Sequence, residues 1–128
     1  MAVTGKPPYD DNNIFAKILR GEIPCNKIYE DDYALAFHDI RPQAPIHALV
    51  IPKGKYVSAA DFGAAATADE ITGFTRAVAA VAKQLGAEET GYRLIANMGL
   101  DSHQEVPHYH VHILAGRKLG VMLASVAT

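Results

Sequence analysis

The sequence holds one cysteine, Cys25. One cysteine cannot close an internal disulfide, which suits a reducing cytoplasm, and beside Pro24 it reads as incidental rather than catalytic. No apolar run approaches the ~20 residues needed to span a bilayer. The stretch from Met1 to Asn13 is polar and carries prolines, and it lacks the apolar core of a signal peptide. Positive charge is not in excess. The formal net charge is −2, with lysines and arginines scattered, so there is no electrostatic footprint for nucleic acid. Neither a membrane nor a nucleic-acid partner is expected. What is present is ordinary for a globular chain: 128 residues, 49% hydrophobic and 20% charged, enough for one domain with a proper core.

Against that background the six histidines are unevenly placed. Three of them, His108, His110 and His112, alternate strictly within Val106-Pro107-His108-Tyr109-His110-Val111-His112-Ile113-Leu114. Period two is the side-chain period of a β-strand. In a strand the three histidines share one face, and Tyr109, Val111 and Ile113 share the other. Three imidazoles on one face are too polar for core filling, and their internal, interleaved position excludes an expression tag. The plainest reading is an edge strand with solvated histidines. Two chemical readings compete with it. The rings can converge on one zinc ion. Alternatively, one of them is a nucleophile with two helpers, since imidazole titrates near neutral pH. The spacing leaves both open.

The rest of the chain reads as a small mixed domain. Residues 1–12 are expected to be a flexible leader. Asn12 or Asn13 can cap a short helix carrying Ile14, Phe15, Ile18 and Leu19 at helical spacing, with Gly21 as its stop. Lys27 to Glu30 and Tyr33 to Asp39 read as strands around an Asp31-Asp32 turn, and His47 to Pro52 as a buried strand. Gly54-Lys55 is not a phosphate loop, because no glycine lies five positions before Gly54. Thr67-Ala68-Asp69-Glu70 has the form of a capping box and opens a helix to Leu85, stopped by Gly86. Ile71, Phe74, Val78, Val81 and Leu85 form its apolar stripe. Tyr92 to Asn97 reads as a strand. The polar loop from Met98 to Glu105 then leads into the triad strand, predicting an antiparallel pair with the site at its mouth.

His-x-His-x-His followed by apolar residues resembles the signature of the histidine triad superfamily. So do Asn13 to Leu19, Gly21-Glu22-Ile23-Pro24, and Ala36-Phe37-His38-Asp39-Ile40. Pro42-Gln43-Ala44-Pro45 with His47, Leu49 to Lys53, Gly91 to Asn97, and Gln104-Glu105-Val106 extend the likeness. The blocks come in family order across residues 13 to 123, and they most resemble the bacterial Hint branch. The resemblance implies an α+β, HIT-like fold: a five-stranded antiparallel sheet with two helices, one domain over 13–128, and a homodimer with a continuous sheet. It implies a cytoplasmic enzyme, without metal or cofactor, acting on purine nucleoside phosphoramidates and related adenylates (AMP-, adenosine- or GMP-like). His110 would attack the α-phosphorus, and water would then cleave the nucleotidyl-histidine; His108, His112 and His47 would orient and polarise. Phe15, Ile18, Phe37, His38 and Ile40 would line the nucleotide pocket. Asp39 would hold the ribose hydroxyls, and Asn97, Gln104 and Glu105 would stand beside the phosphate. On local grounds alone Asp39 is a turn residue, Phe15 and Ile18 are plain core, and His47 is a strand-end histidine.

Three departures from the family pattern stand out. Ser102-His103 replaces the usual paired glycines, whose backbone N–H groups could approach a phosphate closely. Cβ atoms there remove or displace that cradle, with His103 either a charged contact or solvated. Pro107 stands where the Hint branch usually has tyrosine. The tail Leu119-Gly120-Val121-Met122-Leu123 resembles the bacterial terminus but lacks the aromatic residue that ends some relatives. Rival functions are hydrolysis of dinucleoside polyphosphates as in another branch, non-catalytic nucleotide binding by a regulatory protein, and a zinc-binding module.

Overall fold

The computed structural model describes residues 3–124. The first two residues of the expected leader and the last four of the expected 13–128 domain lie outside the described residues. In chain order the described residues form helix α1 (Ile14–Leu19), then strands β1 (Lys27–Glu30), β2 (Ala34–His38) and β3 (Ile46–Pro52). Helices α2 (Ala59–Ala65) and α3 (Ala68–Gln84) follow, and strands β4 (Tyr92–Ile95) and β5 (Val111–Ala115) close the series. The five strands make one antiparallel sheet in the order β1-β2-β3-β5-β4. The α+β class and the five-stranded antiparallel sheet agree with the expectation; the described helices number three rather than two.

The additional helix is α2. Ser58 caps it through a full capping box with Asp61. Its sequence, Ala59 to Ala65, has a single large apolar residue, Phe62, so no apolar period announces it. The caps of the other helices are as read. Asn13 Oδ1 accepts from the Ala16 N–H at 2.9 Å, and Thr67 and Glu70 cap α3 reciprocally. The stripe on α3 is shifted slightly. Phe74, Ala77, Val78, Val81 and Ala82 are buried, whereas Ile71 in the first turn is exposed.

Strand register divides the sheet into two faces with different jobs. Leu49 lies opposite His112, His47 opposite Leu114, and Ala48 opposite Ile113. Alternation therefore sends Ala34, Ala36, Ala48, Val50, Ile113 and Ala115 to one face, where they pack with Phe62 and α3 into the main core. The small alanines, fully buried, let the helices lie close. Leu35, Phe37, Leu49 and Ile51 point to the other face, where Phe15 of α1 covers them. His47 and His112 share that second face, so the sheet's hydrophobic pattern also aims the site.

The triad strand is shorter than expected. Only His112 of the three lies within β5; His108 falls in the bend at residues 106–108 and His110 in the irregular residues that lead into the strand. Pro107 has no N–H for a ladder, and the Tyr109 N–H donates to the Tyr56 carbonyl at 2.8 Å instead of to β3. Within the expected leader, Gly5 and Tyr9 make contacts with the domain. Residues 4–12 run against the domain: the Gly5 carbonyl accepts from Ser58 Oγ at 2.6 Å, and Tyr9 hydrogen-bonds His108. Specific partners deep in the domain, invisible in local composition, fix this segment.

Candidate active site

Three of the four central imidazoles, His47, His108 and His110, have one nitrogen whose protonation is dictated by a backbone group, and His112 takes its tautomer from His47. A carbonyl can only accept and a backbone N–H can only donate. His110 Nδ1 lies 2.7 Å from the His108 carbonyl, so it carries the proton, and Nε2 of the neutral ring keeps a bare lone pair. His108 Nε2 lies 2.8 Å from the Pro52 carbonyl, so its proton sits there, and Nδ1 accepts from the Tyr9 hydroxyl at 2.5 Å. His47 Nδ1 accepts the Gln43 N–H at 3.0 Å, which leaves its proton on Nε2. That proton is donated to His112 Nδ1 at 2.8 Å, with Asp39 Oδ2 further off at 3.4 Å. His112 in turn keeps its own proton on Nε2. The chain of dependence runs from backbone geometry to four fixed tautomers.

Burial keeps these rings neutral. His108 is fully buried and His110 and His47 nearly so. Loss of hydration pushes His108 and His112 down to about 4 and lowers His110 and His47 below the ordinary histidine value. For His112, neighbouring imidazoles add to the effect, and Asp39 opposes it at His47, His110 and His112. Phe15 stands edge-on to His110, with ring centroids 5.0 Å apart, and excludes water from one side of it.

Next to the triad lies a cavity of about 520 Å³, walled by α1, the β2–β3 turn and the loop before the triad. Of the residues singled out in the sequence, Phe15, Ile18, Phe37, His38, Asp39 and Ile40 line it on one side. His110, His112, Asn97 and Glu105 line it on the other. Asn97 and His112 also border a smaller adjoining cavity with His47. Asp39 has two local partners: Oδ1 accepts from the Arg41 N–H at 2.8 Å, while Oδ2 faces His47. Ile40 forms the lip and is almost fully exposed. Cys25 also lines the cavity, and burial raises its thiol above the ordinary value, holding it protonated.

Two expected site residues stand elsewhere. His108 does not reach the cavity; it lies beneath His110. Gln104 is buried and fully engaged with backbone, donating to Val57 O at 2.7 Å and Val106 O at 3.1 Å and accepting from Gly99 N at 3.0 Å. It has no donor left for a phosphate and instead ties the pre-triad loop closed. His103 takes up the left-handed conformation that a glycine would adopt, with φ 59°. Its ring lies in solvent and meets Glu105 at 3.1 Å. The residues that composition and spacing did not reveal are Tyr9, and the backbone groups of Gln43, Pro52 and Arg41. Backbone partners leave no mark in side-chain pattern.

Asp39, His47 and His112 place one ligand atom each within 4.8 Å of one another, close enough to be considered for a metal. The donor set fits poorly. The Gln43 N–H occupies His47 Nδ1, so a metal on Nε2 would require that ring to give up its last proton.

The family model described as HIT domain matches residues 20–119. An uncharacterized HIT-like protein of Azospirillum brasilense is 62% identical over 115 residues, covering 90% of this chain and 94% of that protein. The purine nucleoside phosphoramidase of Escherichia coli K12 is 46% identical over 115 residues, covering 89% of this chain and 95% of its own. Among solved structures, a histidine triad protein from Clostridium difficile superposes with a TM-score of 0.80 at 44% identity, covering 91% of this chain and all of that one. A HIT family hydrolase from Clostridium thermocellum gives 0.82 at 36% identity, over 90% of this chain and 99% of that one.

Proposed function

The chain belongs to the HIT domain family, and from that premise we propose that it is a metal-independent hydrolase of purine nucleoside phosphoramidates and related adenylates. The observation that carries this reading is the tautomer of His110: Nδ1–H is held by the His108 carbonyl, and Nε2 of the buried ring is left unprotonated beside the cavity. A neutral imidazole with a bare nitrogen is a nucleophile at neutral pH without a separate base. In the proposed reaction Nε2 attacks the α-phosphorus and the P–N bond to the amine breaks. The amine leaves with a proton from His112, whose Nε2–H remains available for it. Water then attacks phosphorus and returns a proton to His112, the P–N bond to His110 breaks, and the nucleoside monophosphate leaves with both rings restored. The purine lies between Phe15, Ile18 and Phe37, the ribose on Asp39, and the phosphate toward Asn97. The relative named purine nucleoside phosphoramidase supports the substrate class.

The same reading makes the protein a cytoplasmic homodimer joined through β4. That strand closes one end of the sheet and leaves Leu94 about half exposed, whereas β1 at the other end carries Lys27 and Glu30. An apolar free edge invites pairing and a charged one discourages it.

A comparative hydrolysis panel tests the reading. Adenosine and guanosine phosphoramidates are expected to be turned over in preference to dinucleoside polyphosphates, and exhaustive chelation is expected to leave the rates unchanged. Preference for the polyphosphates would move the protein to another branch. Loss of activity on chelation with recovery on adding zinc would revive the metal reading of Asp39, His47 and His112.

A further inference from the structure

Tyr9 lies in the segment least expected to matter, yet its hydroxyl makes a 2.5 Å hydrogen bond to a triad histidine. The contact is specific in geometry. The two rings meet edge-on with centroids 5.5 Å apart and an interplanar angle of 73°. His108 Nε2 is already committed as donor to Pro52 O, so Nδ1 can only accept, and Tyr9 is the donor. With both nitrogens bonded, a fully buried ring has no unpaired polar atom.

Tyr9 is tethered on both sides. Before it, the Gly5 carbonyl accepts from the buried Ser58 hydroxyl at 2.6 Å. Gly5 has φ +76°, and a Cβ there would meet the Gly99 amide nitrogen at 2.8 Å, so only glycine passes. After it, Asn13 Nδ2 donates to the Asp10 carbonyl at 2.7 Å, and Arg20 donates to the Asp11 carbonyl at 2.8 Å. The segment is a strap laid from the α2 cap to the α1 cap, and Tyr9 is where it touches the triad.

We propose that Tyr9 is a positioning residue for the triad: its hydroxyl pins the second nitrogen of His108, and through that ring holds the His108 carbonyl where it binds His110 Nδ1–H. The path is short. Tyr9 fixes the His108 side chain, and Pro52 fixes its other edge. The same residue's carbonyl then sets the orientation and tautomer of the nucleophilic ring. Losing the hydroxyl leaves the His108 ring held on one edge only, by the Pro52 carbonyl, and loosens the carbonyl of the same residue.

Tyr9→Phe is the test, because the phenyl ring keeps the edge-on contact and removes only the donor. Two measurements are made on the folded full chain. In long-range nitrogen–proton spectra the His108 Nδ1 resonance is expected to move downfield, toward that of an unbonded acceptor. With a phosphoramidate substrate, kcat is expected to fall about two- to tenfold with KM held, the consequence of one neutral hydrogen bond lost to the transition-state geometry. A tyrosine with a merely structural role would lower thermal stability and move the His108 resonance but leave kcat where it was; an unmoved resonance or an unchanged kcat overturns the proposal. The kinetic arm rests on the phosphoramidase reading. If the unsubstituted protein turns over no phosphoramidate, that reading fails, and the resonance alone then decides whether Tyr9 anchors His108.

Discussion

His108 and His110 are the same side chain two residues apart, yet the fold gives them opposite tautomers. His108 carries its proton on Nε2 because Pro52 O lies there; His110 carries it on Nδ1 because the carbonyl of His108 lies there. Sequence spacing shows that three rings share a side. It does not show which nitrogen is bare, because the deciding partners are backbone atoms of β3 and of the lead-in itself. Gln104 makes the same point in reverse. A polar residue beside the triad reads as a phosphate contact, but its amide is used up by Val57, Val106 and Gly99. Asp39 keeps both identities, since it holds the Arg41 N–H and also lines the cavity. A carboxylate that accepts from two ribose hydroxyls gains about 1.5–3 kcal/mol for each charged hydrogen bond. Asp39→Ala is therefore expected to erase a roughly tenfold to hundredfold preference for ribose over 2′-deoxyribose substrates in kcat/KM. A purely turn-forming aspartate would depress both sugars alike, so an unchanged ratio removes Asp39 from the ribose site.

At the scale of elements, those with explicit local signals were legible. The Thr67-to-Glu70 capping box and Asn13 place two helix starts, and Gly86 marks a stop with φ +75°. Helix α2 escaped because its seven residues bury one side chain, Phe62, against the core, and the rest is alanine, glycine and the capping Asp61. Its Ser58–Asp61 cap was the available signal, with aspartate in place of the more familiar glutamate. The triad segment was legible in period but not in pairing, since Pro107 and the Tyr56 carbonyl divert its first half from the ladder. Burying that segment has a thermodynamic consequence. In the unfolded chain the rings titrate near the ordinary histidine value of 6.5, while His108 and His112 are pushed down to about 4 in the fold. Between those values the unfolded chain binds more protons, so stability is complete above ~6.5 and falls as pH drops toward ~4. For fully buried His108 the loss is on the order of 3 kcal/mol. Urea unfolding at pH 7.5 and pH 5 checks this. A midpoint that does not fall at the lower pH contradicts neutral burial of the triad.

The whole molecule is a sheet whose two faces are divided between stability and chemistry. One face packs on α2 and α3; the other aims His112 and Phe37 at a cavity walled by α1 and places His47 at the smaller cavity adjoining it. The first face was legible as apolar periodicity. The strap was not, because a polar, proline-bearing segment gives no sign of the Ser58 and His108 partners that hold it. Pairing through β4, an end strand of the sheet among the described residues that exposes Leu94 beside Arg93, predicts a dimer, and light scattering is expected to give about twice the 13.8 kDa chain mass; a monomer at working concentration contradicts pairing through that edge. The proposed chemistry turns on one atom, His110 Nε2. Quenched-flow mass spectrometry during turnover of an adenosine phosphoramidate is the most direct test of it. The account predicts a transient adenylyl adduct on His110 that decays at the rate of product release, and a folded His110→Ala protein that forms no adduct and no product. An adduct on another residue, or substantial turnover by His110→Ala, would contradict it.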